Sequence, residues 1–221
     1  MSVKPNLVIW GASGHARVVA DVVRLAGQYE IAGLLDDLHP ERYGTAFCGA
    51  PILGGGELLS CLRETGIEHL IVAVGDCRAR LRLAEAARAY GFRLATAIHP
   101  RAIVASDVQP GPGSVVAAGA VVNPGTLIGE NVIVNTAAGV DHECVLADGV
   151  HIGPGVRLAG EVRVGRGSQV SIGAVVVNGV QIGAGSLVGA GAVVVDDVPD
   201  GVVAYGVPAR VIRPNEAAVA A

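Results

Sequence analysis

An aliphatic side chain returns at every sixth residue through the second half of the chain. Every sixth residue from Val104 to Val194 is aliphatic, with Pro110 as the one exception, which makes sixteen hexads. Four places after each of these positions stands a small or β-branched residue, from Val108 to Val198. An α-helix repeats near 3.6 residues and a simple strand near 2, so neither regular element accounts for a period of six.

A six-residue unit has room for one short strand and one corner, and three such units close a triangular coil of 18 residues. The hexads therefore predict a left-handed parallel β-helix of a little over five coils, in which each coil buries its aliphatic residues against the next. A Gly- and Val-rich β-sandwich would instead show period-2 patches separated by irregular turns. Five glycines directly follow the aliphatic position and are expected at tight corners, with positive φ and crowded surroundings: Gly129, Gly153, Gly165, Gly183 and Gly189.

The first part of the chain has the pattern of a nucleotide-binding βαβ unit. A predicted strand at residues 7–10 leads into Gly11-Ala12-Ser13-Gly14-His15 and then into an amphipathic helix at residues 16–25. Such a turn offers backbone N–H groups and a helix N-terminus to an anion. A second strand, residues 31–35, ends in Asp36 and Asp37, where an acidic residue can accept from ribose hydroxyls. The motif is Gly-x-x-Gly and not the full three-glycine fingerprint, and the short length of this first domain suits one mononucleotide better than a dinucleotide.

The remaining pattern divides the chain into three parts. Residues 46–56 are expected to form a loop, 57–64 a helix, 69–74 a strand, 77–90 a helix and 92–98 a last strand. We therefore predict a Rossmann-like α/β domain at 1–98, the β-helix at 99–199, and a C-terminal segment at 200–221 that ends in a partly disordered Ala-rich tail.

Composition excludes several classes of protein. The net charge is −4 and no basic run occurs, so neither nucleic acid nor an anionic membrane is an expected partner. The four cysteines have no CxxC pairing or metal-site spacing, which favours a reduced, cytoplasmic protein. Neither a signal peptide nor an apolar run long enough to span a bilayer is recognised.

Two histidines lie within the hexads. His142 falls two places after the aliphatic Val140, in a corner, between Asp141 and Glu143. Acidic neighbours can fix one tautomer of such a histidine, as a general base requires, although a pair of solvated surface histidines remains the alternative. His151 is nine residues on, half a coil, and is expected on another side of the prism. A zinc site would need three histidines, so no metal is predicted.

Several motifs besides the aliphatic repeat itself narrow the choice among solenoid proteins. They are Gly11-Ala12-Ser13-Gly14-His15, Asp36-Asp37, Asn135-Thr136, Asp141-His142-Glu143-Cys144, His151, Ala159-Gly160 and Gly206-Val207-Pro208-Ala209. Together they resemble the hexapeptide-repeat acyltransferases that acetylate nucleotide-activated 4-amino sugars. The enzyme of the UDP-bacillosamine pathway and GDP-perosamine N-acetyltransferase typify this family, which is related to sialic acid O-acetyltransferases.

The resemblance implies a homotrimer with active sites between subunits and acetyl-CoA in the groove between adjacent solenoids. By position, His142 would take a proton from the sugar 4-amine as the amine attacks the thioester, with Glu143 or Asp141 orienting the ring. Gly160 follows His142 by 18 residues, one full coil, so its N–H is the candidate donor to the developing oxyanion. Cys144, at a small interior position, is expected to pack rather than to act as a nucleophile.

The resemblance also implies two sets of binding residues. The set for the acetyl group and CoA is His151, Gly160, Ile172, Gly173, Ala190, Pro208 and Arg210, with Arg213 also near phosphates. The set for the nucleotide sugar is Gly11, Ser13, Gly14 and His15 around the pyrophosphate, Asp36 or Asp37 at the base or ribose, and Asn135 at the sugar. Tight turns and solvated charges remain the alternative for these positions.

The sequence thus predicts acetyl-CoA-dependent N-acetylation of a nucleotide-linked 4-amino-4,6-dideoxy sugar, for surface polysaccharide such as O-antigen. GDP-perosamine is favoured and a UDP-linked sugar comes next, on overall likeness alone. O-acetylation of a sialic-acid-like sugar is the alternative among enzymes. A noncatalytic sugar-nucleotide-binding scaffold, or a metal-bearing solenoid, is the alternative from another class.

Overall fold

The structure is a computed structural model that describes residues 4–216. The chain divides into two compact units, Met1–Pro100 and Arg101–Ala221. The disorder predicted for the end of the chain concerns residues outside the described part. No helix among residues 4–216 is long and apolar enough to cross a membrane.

The first unit is a six-stranded sheet with helices. Its strands are β1 (Asn6–Trp10), β2 (Glu30–Leu35), β3 (Ala46–Phe47), β4 (Ala50–Gly54), β5 (His69–Val72) and β6 (Arg93–Leu94), followed by β7 (Ala97–Ile98). Its helices are α1 (Gly14–Ala26), α2 (Leu59–Glu64) and α3 (Cys77–Ala89), with 3-10 turns at Pro40–Arg42 and Gly56–Leu58. The sheet order is β3-β4-β2-β1-β5-β6, parallel throughout except for the β3–β4 pair.

Helix α1 shows why this stretch folds as the sequence predicts. Its buried residues recur at helical spacing, from Ala16 through Val19 to Val23, and form one apolar face. The helix begins after Ser13, which has extended backbone, and ends at Gly27, whose positive φ of 68° lets its N–H bond to the carbonyl of Val23 at 3.1 Å. The predicted Rossmann-like α/β unit is confirmed.

Some predicted elements differ from the structure. Residues 46–56, expected to form a loop, contain the β3–β4 hairpin, whose turn residues Cys48 and Gly49 both have positive φ. A cysteine in that conformation and a proline within β4 concealed the hairpin from pattern reasoning. The helix predicted from residue 57 begins as a 3-10 turn, the strand predicted at 69–74 ends at Val72, and the strand predicted at 92–98 is two short strands.

The second unit is a stack of two-residue strands that occur at the predicted hexad positions. These are β8 (Ile103–Val104), β9 (Val115–Val116), β10 (Val121–Val122), β11 (Leu127–Ile128), β12 (Ile133–Val134), β13 (Gly139–Val140), β14 (Val145–Leu146), β15 (His151–Ile152), β16 (Arg157–Leu158), β17 (Arg163–Val164), β18 (Gln169–Val170), β19 (Val175–Val176), β20 (Gln181–Ile182), β21 (Leu187–Val188) and β22 (Val193–Val194). The hexad at Pro110 forms no strand. Two longer strands, β23 (Val202–Gly206) and β24 (Ala209–Pro214), follow.

Strands of successive coils pair in parallel across 18 residues, as in Val122 with Val140 and Val134 with Ile152. Three sheets result, which we name after their first strands in the unit. The β8 sheet runs β22-β19-β16-β13-β10-β8, the β11 sheet runs β11-β14-β17-β20, and the β9 sheet contains β23, β21, β18, β15, β12 and β9. The predicted left-handed parallel β-helix is confirmed.

The corner glycines follow a different rule from the one predicted. The five that directly follow the aliphatic residue are not among the positive-φ residues, so that part of the expectation is wrong. Their crowding is real, since a Cβ on Gly165 would lie 2.5 Å from the backbone N of Ala184. From residue 113 to residue 191, positive φ occurs two places later in each corner, at glycines such as Gly155 and also at Glu143 and Glu161.

Candidate functional site

The carboxyl ends of the parallel strands in the first unit include the point where the strand order reverses. From β1 the chain passes to β2 and β4 on one side, and then returns to β5 on the other side of β1. Ligands of open α/β sheets bind at such a switch point. The predicted residues Gly11 and Ser13 lie in the loop after β1, and Gly14 and His15 lie in the first turn of α1, so the structure places this set together.

Gly11 is required by its surroundings. Its φ is +125°, and a Cβ added there would lie 2.8 Å from the carbonyl oxygen of Ala73, directly after β5. Its N–H bonds to the carbonyl of Leu35 at 2.8 Å. A side chain at residue 11 would therefore push apart the two loops that border the switch point. By contrast, a Cβ on Gly14 would meet no atom within 4 Å.

The two aspartates after β2 both have partners within the unit. Asp36 is buried, and its carboxylate accepts from Arg42 Nη1 at 2.9 Å and lies 3.2 Å from Nδ1 of His39. Asp37 is exposed, and its two oxygens accept from the indole N–H of Trp10 at 2.8 Å and from the N–H of Gly56 at 2.6 Å. Exposure leaves Asp37 the better placed of the two to receive a ligand.

The loop after β5 also lies at this carboxyl edge of the sheet, and the sequence analysis did not identify it as part of the candidate site. Val74 and Gly75 accept hydrogen bonds from Nη1 of Arg80 at 3.0 and 2.9 Å. Arg80 is 1% exposed, and burial lowers the pKa of its guanidinium. Asp76 caps α3 by accepting from the N–H of Ala79 at 2.7 Å. A strand followed by Gly-Asp and a helix is the pattern that would have revealed this second loop.

His142 occupies a corner of the second unit, after β13 in the β8 sheet. Its side chain is half exposed, and its Nδ1 lies 3.2 Å from Oε2 of Glu143. Glu143 has a φ of 58°, in the left-handed region, which belongs to the local turn that brings its carboxylate beside the ring. A carboxylate can only accept here, so this contact puts a proton on Nδ1 and leaves the lone pair on Nε2.

Asp141 holds the backbone of the same corner rather than the ring. Its Oδ1 accepts from Nδ2 of Asn123 at 2.8 Å, one coil earlier, and from the N–H of His142 at 2.8 Å. These two hydrogen bonds, that of Asn123 foremost, hold the pKa of Asp141 below its usual range. Of the two predicted orienting residues, Glu143 contacts the imidazole and Asp141 fixes the loop that carries it.

Gly160 lies next to His142 on the following coil. A Cβ at residue 160 would be 2.5 Å from Cε1 and 2.6 Å from Nε2 of the His142 ring, so the ring lies directly over the glycine. The coils are joined here by the N–H of Glu161, which bonds to the carbonyl of His142 at 2.9 Å.

Cys144 points inward, fully buried, with its Sγ 3.2 Å from the carbonyl of Ala159. Burial raises the pKa of this thiol, which fits a packing residue.

His151 lies on β15 in the β9 sheet, a different sheet from the one that precedes His142, as predicted. Its Nε2 is 3.2 Å from Nδ2 of Asn135, which directly follows β12. The N–H of Thr136 donates to Oδ1 of Asn135 at 2.8 Å. Asn135, predicted at the sugar, therefore lies beside His151 and away from the corner of His142.

Of the predicted CoA residues, Ile172, Gly173 and Ala190 lie on the side of His151, whereas Gly160 lies beside His142. Ile172, 58% exposed, and Ala190 stack in the corner that follows the β9 sheet, joined by a 2.9 Å bond from the N–H of Gly191 to the carbonyl of Ile172. Gly173, in the same corner, has open space beside it. The last two predicted CoA residues, Pro208 and Arg210, follow β23. Pro208 is exposed, and Nη1 of Arg210 lies 3.3 Å from Oδ2 of Asp196.

Within one chain the predicted residues of the second unit thus form two separate groups. His142, Glu143, Asp141 and Gly160 lie at the corner after the β8 sheet, whereas His151, Asn135, Ile172, Gly173 and Ala190 lie on the β9 sheet and its corner. Among residues 4–216, no group of three or more His, Cys, Asp or Glu side chains has the arrangement of a metal site.

Comparison with known proteins covers both units. Residues 6–87 match the family described as the PglD N-terminal domain. Perosamine N-acetyltransferase from Caulobacter crescentus was solved with CoA and GDP-perosamine as a mutant with histidine changed to asparagine. It is 44% identical to this chain with a TM-score of 0.90, over 94% of this chain and 96% of that one.

Two further solved structures are similar over the whole length. The acetyltransferase domain of PglB from Neisseria gonorrhoeae FA1090, in complex with acetyl coenzyme A, is 42% identical with a TM-score of 0.88, over 95% of this chain and 100% of that one. WeeI from Acinetobacter baumannii AYE is 23% identical with a TM-score of 0.65, over 95% of this chain and 100% of that one, and so shares the fold.

Proposed function

Because the chain belongs to the family of acetyl-CoA-dependent sugar N-acetyltransferases, we propose that it acetylates the 4-amine of a nucleotide-activated 4-amino-4,6-dideoxy sugar. The family predicted from the sequence motifs is confirmed by the identity of 44% across 94% of the chain. GDP-perosamine is the favoured substrate and a UDP-linked 4-amino sugar the next. The homotrimer and the cytoplasmic location predicted from the sequence are part of this proposal.

The observation that carries the proposal is the geometry of His142. Glu143 holds a proton on Nδ1, and Nε2 is left as the basic nitrogen beside Gly160. In the proposed reaction the sugar amine attacks the thioester carbon and a C–N bond forms. Nε2 takes a proton from the nitrogen, the C–S bond breaks, and CoA leaves as the thiol once that proton is returned to sulfur. Because the neutral amine gains positive charge on nitrogen as the C–N bond forms, this proton transfer is the step that the imidazole assists.

Charge also develops on the thioester oxygen during the attack. We assign the N–H of Gly160 as its donor, because a backbone N–H fixed in a coil needs no reorganisation when charge appears. Cys144 is not used as an acyl carrier, since it is buried inside the coil with a raised pKa. The acetyl group therefore passes directly from CoA to the amine.

The first unit would hold the nucleotide. Its switch-point loop offers the backbone N–H groups of residues 12–14 and the N-terminus of α1 to the pyrophosphate, while the N–H of Gly11 is held by Leu35. The exposed carboxylate of Asp37 is the group we assign to the ribose or base. Trp10, the one tryptophan of the chain, donates to this carboxylate and so reports on its occupancy.

A thiol-release assay tests this function. Acetyl-CoA is offered with GDP-, UDP- and dTDP-linked 4-amino sugars, and release of CoA is expected with GDP-perosamine above all. His142→Ala should lower kcat by about 10²- to 10⁴-fold, which is the usual contribution of a general base. Titration of Trp10 fluorescence with each nucleotide should show the same preference for the base, and should be unchanged in His142→Ala.

The alternatives give different results in the same experiments. A sialic-acid-type O-acetyltransferase would release CoA with a hydroxyl acceptor and not with the amino sugars. A noncatalytic scaffold would bind nucleotide, which the Trp10 titration would report, and would release no CoA with any of the amino sugars. Metal analysis of the purified protein would identify a metal-bearing solenoid.

A further inference from the structure

The two imidazoles of the second unit have hydrogen-bond partners of opposite kinds. Nδ1 of His142 faces a carboxylate oxygen of Glu143 at 3.2 Å, and a carboxylate accepts. Nε2 of His151 faces Nδ2 of Asn135 at 3.2 Å, and an amide nitrogen donates. The first contact needs a proton on the ring nitrogen, whereas the second needs a lone pair.

The orientation of the Asn135 amide decides this assignment. The N–H of Thr136 points to one end of the amide at 2.8 Å, and a backbone N–H only donates, so that end must be the oxygen. The hydroxyl of Thr136 lies 3.4 Å from the same oxygen. The NH₂ group is therefore the end that faces His151.

The consequence for His151 is a single neutral tautomer. Because Nε2 accepts from Asn135, the ring proton must be on Nδ1. The strand neighbours on either side of His151 are Ile133 and Gln169, and neither carries a charge. The lone pair of Nε2 is engaged by the amide and is not available as a base.

We infer that Asn135 is a positioning residue that holds His151 in the Nδ1–H tautomer, so that of these two rings only His142 presents a basic Nε2. The inference rests on the proposed function for its catalytic meaning. If His151 lies near the acetyl group, its Nδ1–H is a donor suited to a carbonyl oxygen that gains negative charge. A base at that place would instead repel the oxyanion.

The tautomer can be observed directly by long-range ¹H–¹⁵N NMR of histidine-labelled protein, with His151 assigned by its loss in His151→Gln. The wild-type protein should show Nε2 unprotonated and Nδ1 protonated in the neutral ring. In Asn135→Asp, one carboxylate oxygen still accepts from Thr136 and the other faces His151. The neutral ring should therefore switch to the Nε2–H tautomer. Thr136→Ala keeps the backbone donor and should keep the wild-type tautomer.

Activity gives a second measurement. Loss of the group that fixes a catalytic tautomer costs up to about 10⁴ in kcat in serine proteases, so we expect Asn135→Asp to lose about tenfold or more in kcat while Thr136→Ala stays near wild type. A wild-type His151 with Nε2 protonated, or an unchanged tautomer in Asn135→Asp, would overturn the inference. The NMR result stands even if no sugar is acetylated, so failure of the proposed function would be recognised separately.

Discussion

At residue 160 the absence of a side chain determines where the imidazole of His142 can lie. Glu143 attracts the ring from one side, and Gly160 leaves the space over which the ring rests. A Cβ at residue 160 would overlap the ring atoms Cε1 and Nε2, at 2.5 and 2.6 Å. Because the ring is half exposed, it can swing outward without disturbing the core.

Gly160→Ala should therefore lower activity and leave stability almost unchanged. The displaced ring loses its bond to Glu143, and kcat should fall by about 10²-fold, within the range of general-base contributions. Thiol release and urea unfolding are the measurements. In a His142→Ala background the same substitution should add little, because the two changes act through one ring. Independent, additive losses would show that Gly160 acts by another route.

Asn123→Ala should change the pH dependence of stability. The native pKa of Asp141 is lowered chiefly by Asn123, so this bond stabilises the fold above the carboxyl's unfolded pKa and the stabilisation is lost as pH falls through the native pKa. Free energies of unfolding should differ between variant and wild type at neutral pH, and the difference should shrink in acid. Asn178→Ala, at an exposed asparagine, is the control. A difference that does not vary with pH would exclude Asp141 as its source.

The predicted residues differ in how far sequence could specify their contacts. The acidic neighbours of His142 were recognisable from spacing, but which one meets the ring depends on the left-handed backbone of Glu143. Asp36 and Asp37 were predicted alike, yet folding buries Asp36 against Arg42 and leaves Asp37 exposed. Both pairings join residues within six positions of each other, but they depend on backbone conformation and burial that the order of residue types does not specify.

At the scale of elements, the corners of the β-helix use glycine for two different reasons. The glycine directly after the aliphatic residue lies against the backbone of the next coil, as Gly165 does against Ala184. The residue two places later has positive φ, and there Asn131 and Ala137 are accommodated with φ of 54° and 56°. The first position is restricted by contact with backbone and the second by conformation alone.

Alanine at these two positions should therefore have unequal costs. Gly165→Ala should destabilise the protein by about 3 kcal/mol, since the atoms it meets are backbone atoms that cannot move aside. Gly155→Ala, where φ is 65° and no atom lies within 4 Å, should cost about 1 kcal/mol. Urea unfolding followed by circular dichroism measures both. Equal costs, or a larger one for Gly155→Ala, would contradict this account of the corners.

The regularity of an element decided how well sequence predicted it. The hexads correctly predicted the position of every two-residue strand from β9 to β22, because each aliphatic residue repeats the environment of its neighbour one coil away. The β3–β4 hairpin occurs once, with its turn at Cys48 and Gly49, and no repetition supports a weak local pattern. Periodicity averages over many coils, whereas a single turn depends on one or two residues.

At the scale of the whole molecule, the two groups of residues in the second unit lie at different corners of the prism. His142 follows the β8 sheet and Ile172 follows the β9 sheet, so one face of the triangle separates them. If a base at one corner acts on an acetyl group held at the other, two copies of the chain must supply them. A threefold assembly of identical subunits makes three such sites and closes on itself.

Mixed assemblies test this arrangement. His142→Ala removes the base, and Ile172→Glu puts a charge on an exposed apolar position of the proposed CoA groove, so each variant alone should be poorly active. When the two are refolded together at equal amounts, an intact site needs an unaltered His142 from one subunit and an unaltered Ile172 from its neighbour. Random assembly gives that with probability one half times one half, so about a quarter of wild-type thiol release should return.

The control is each variant refolded alone, which should stay at its own low activity, and light scattering should give the mass of three chains for every sample. Recovery requires that neither altered side chain be in the reconstituted site, and this is possible only where the two corners belong to different subunits. A monomeric mass would exclude a shared site. Trimers with no recovery, where each variant alone is poorly active, would mean that the His142 corner and the Ile172 corner serve the same site from within one chain.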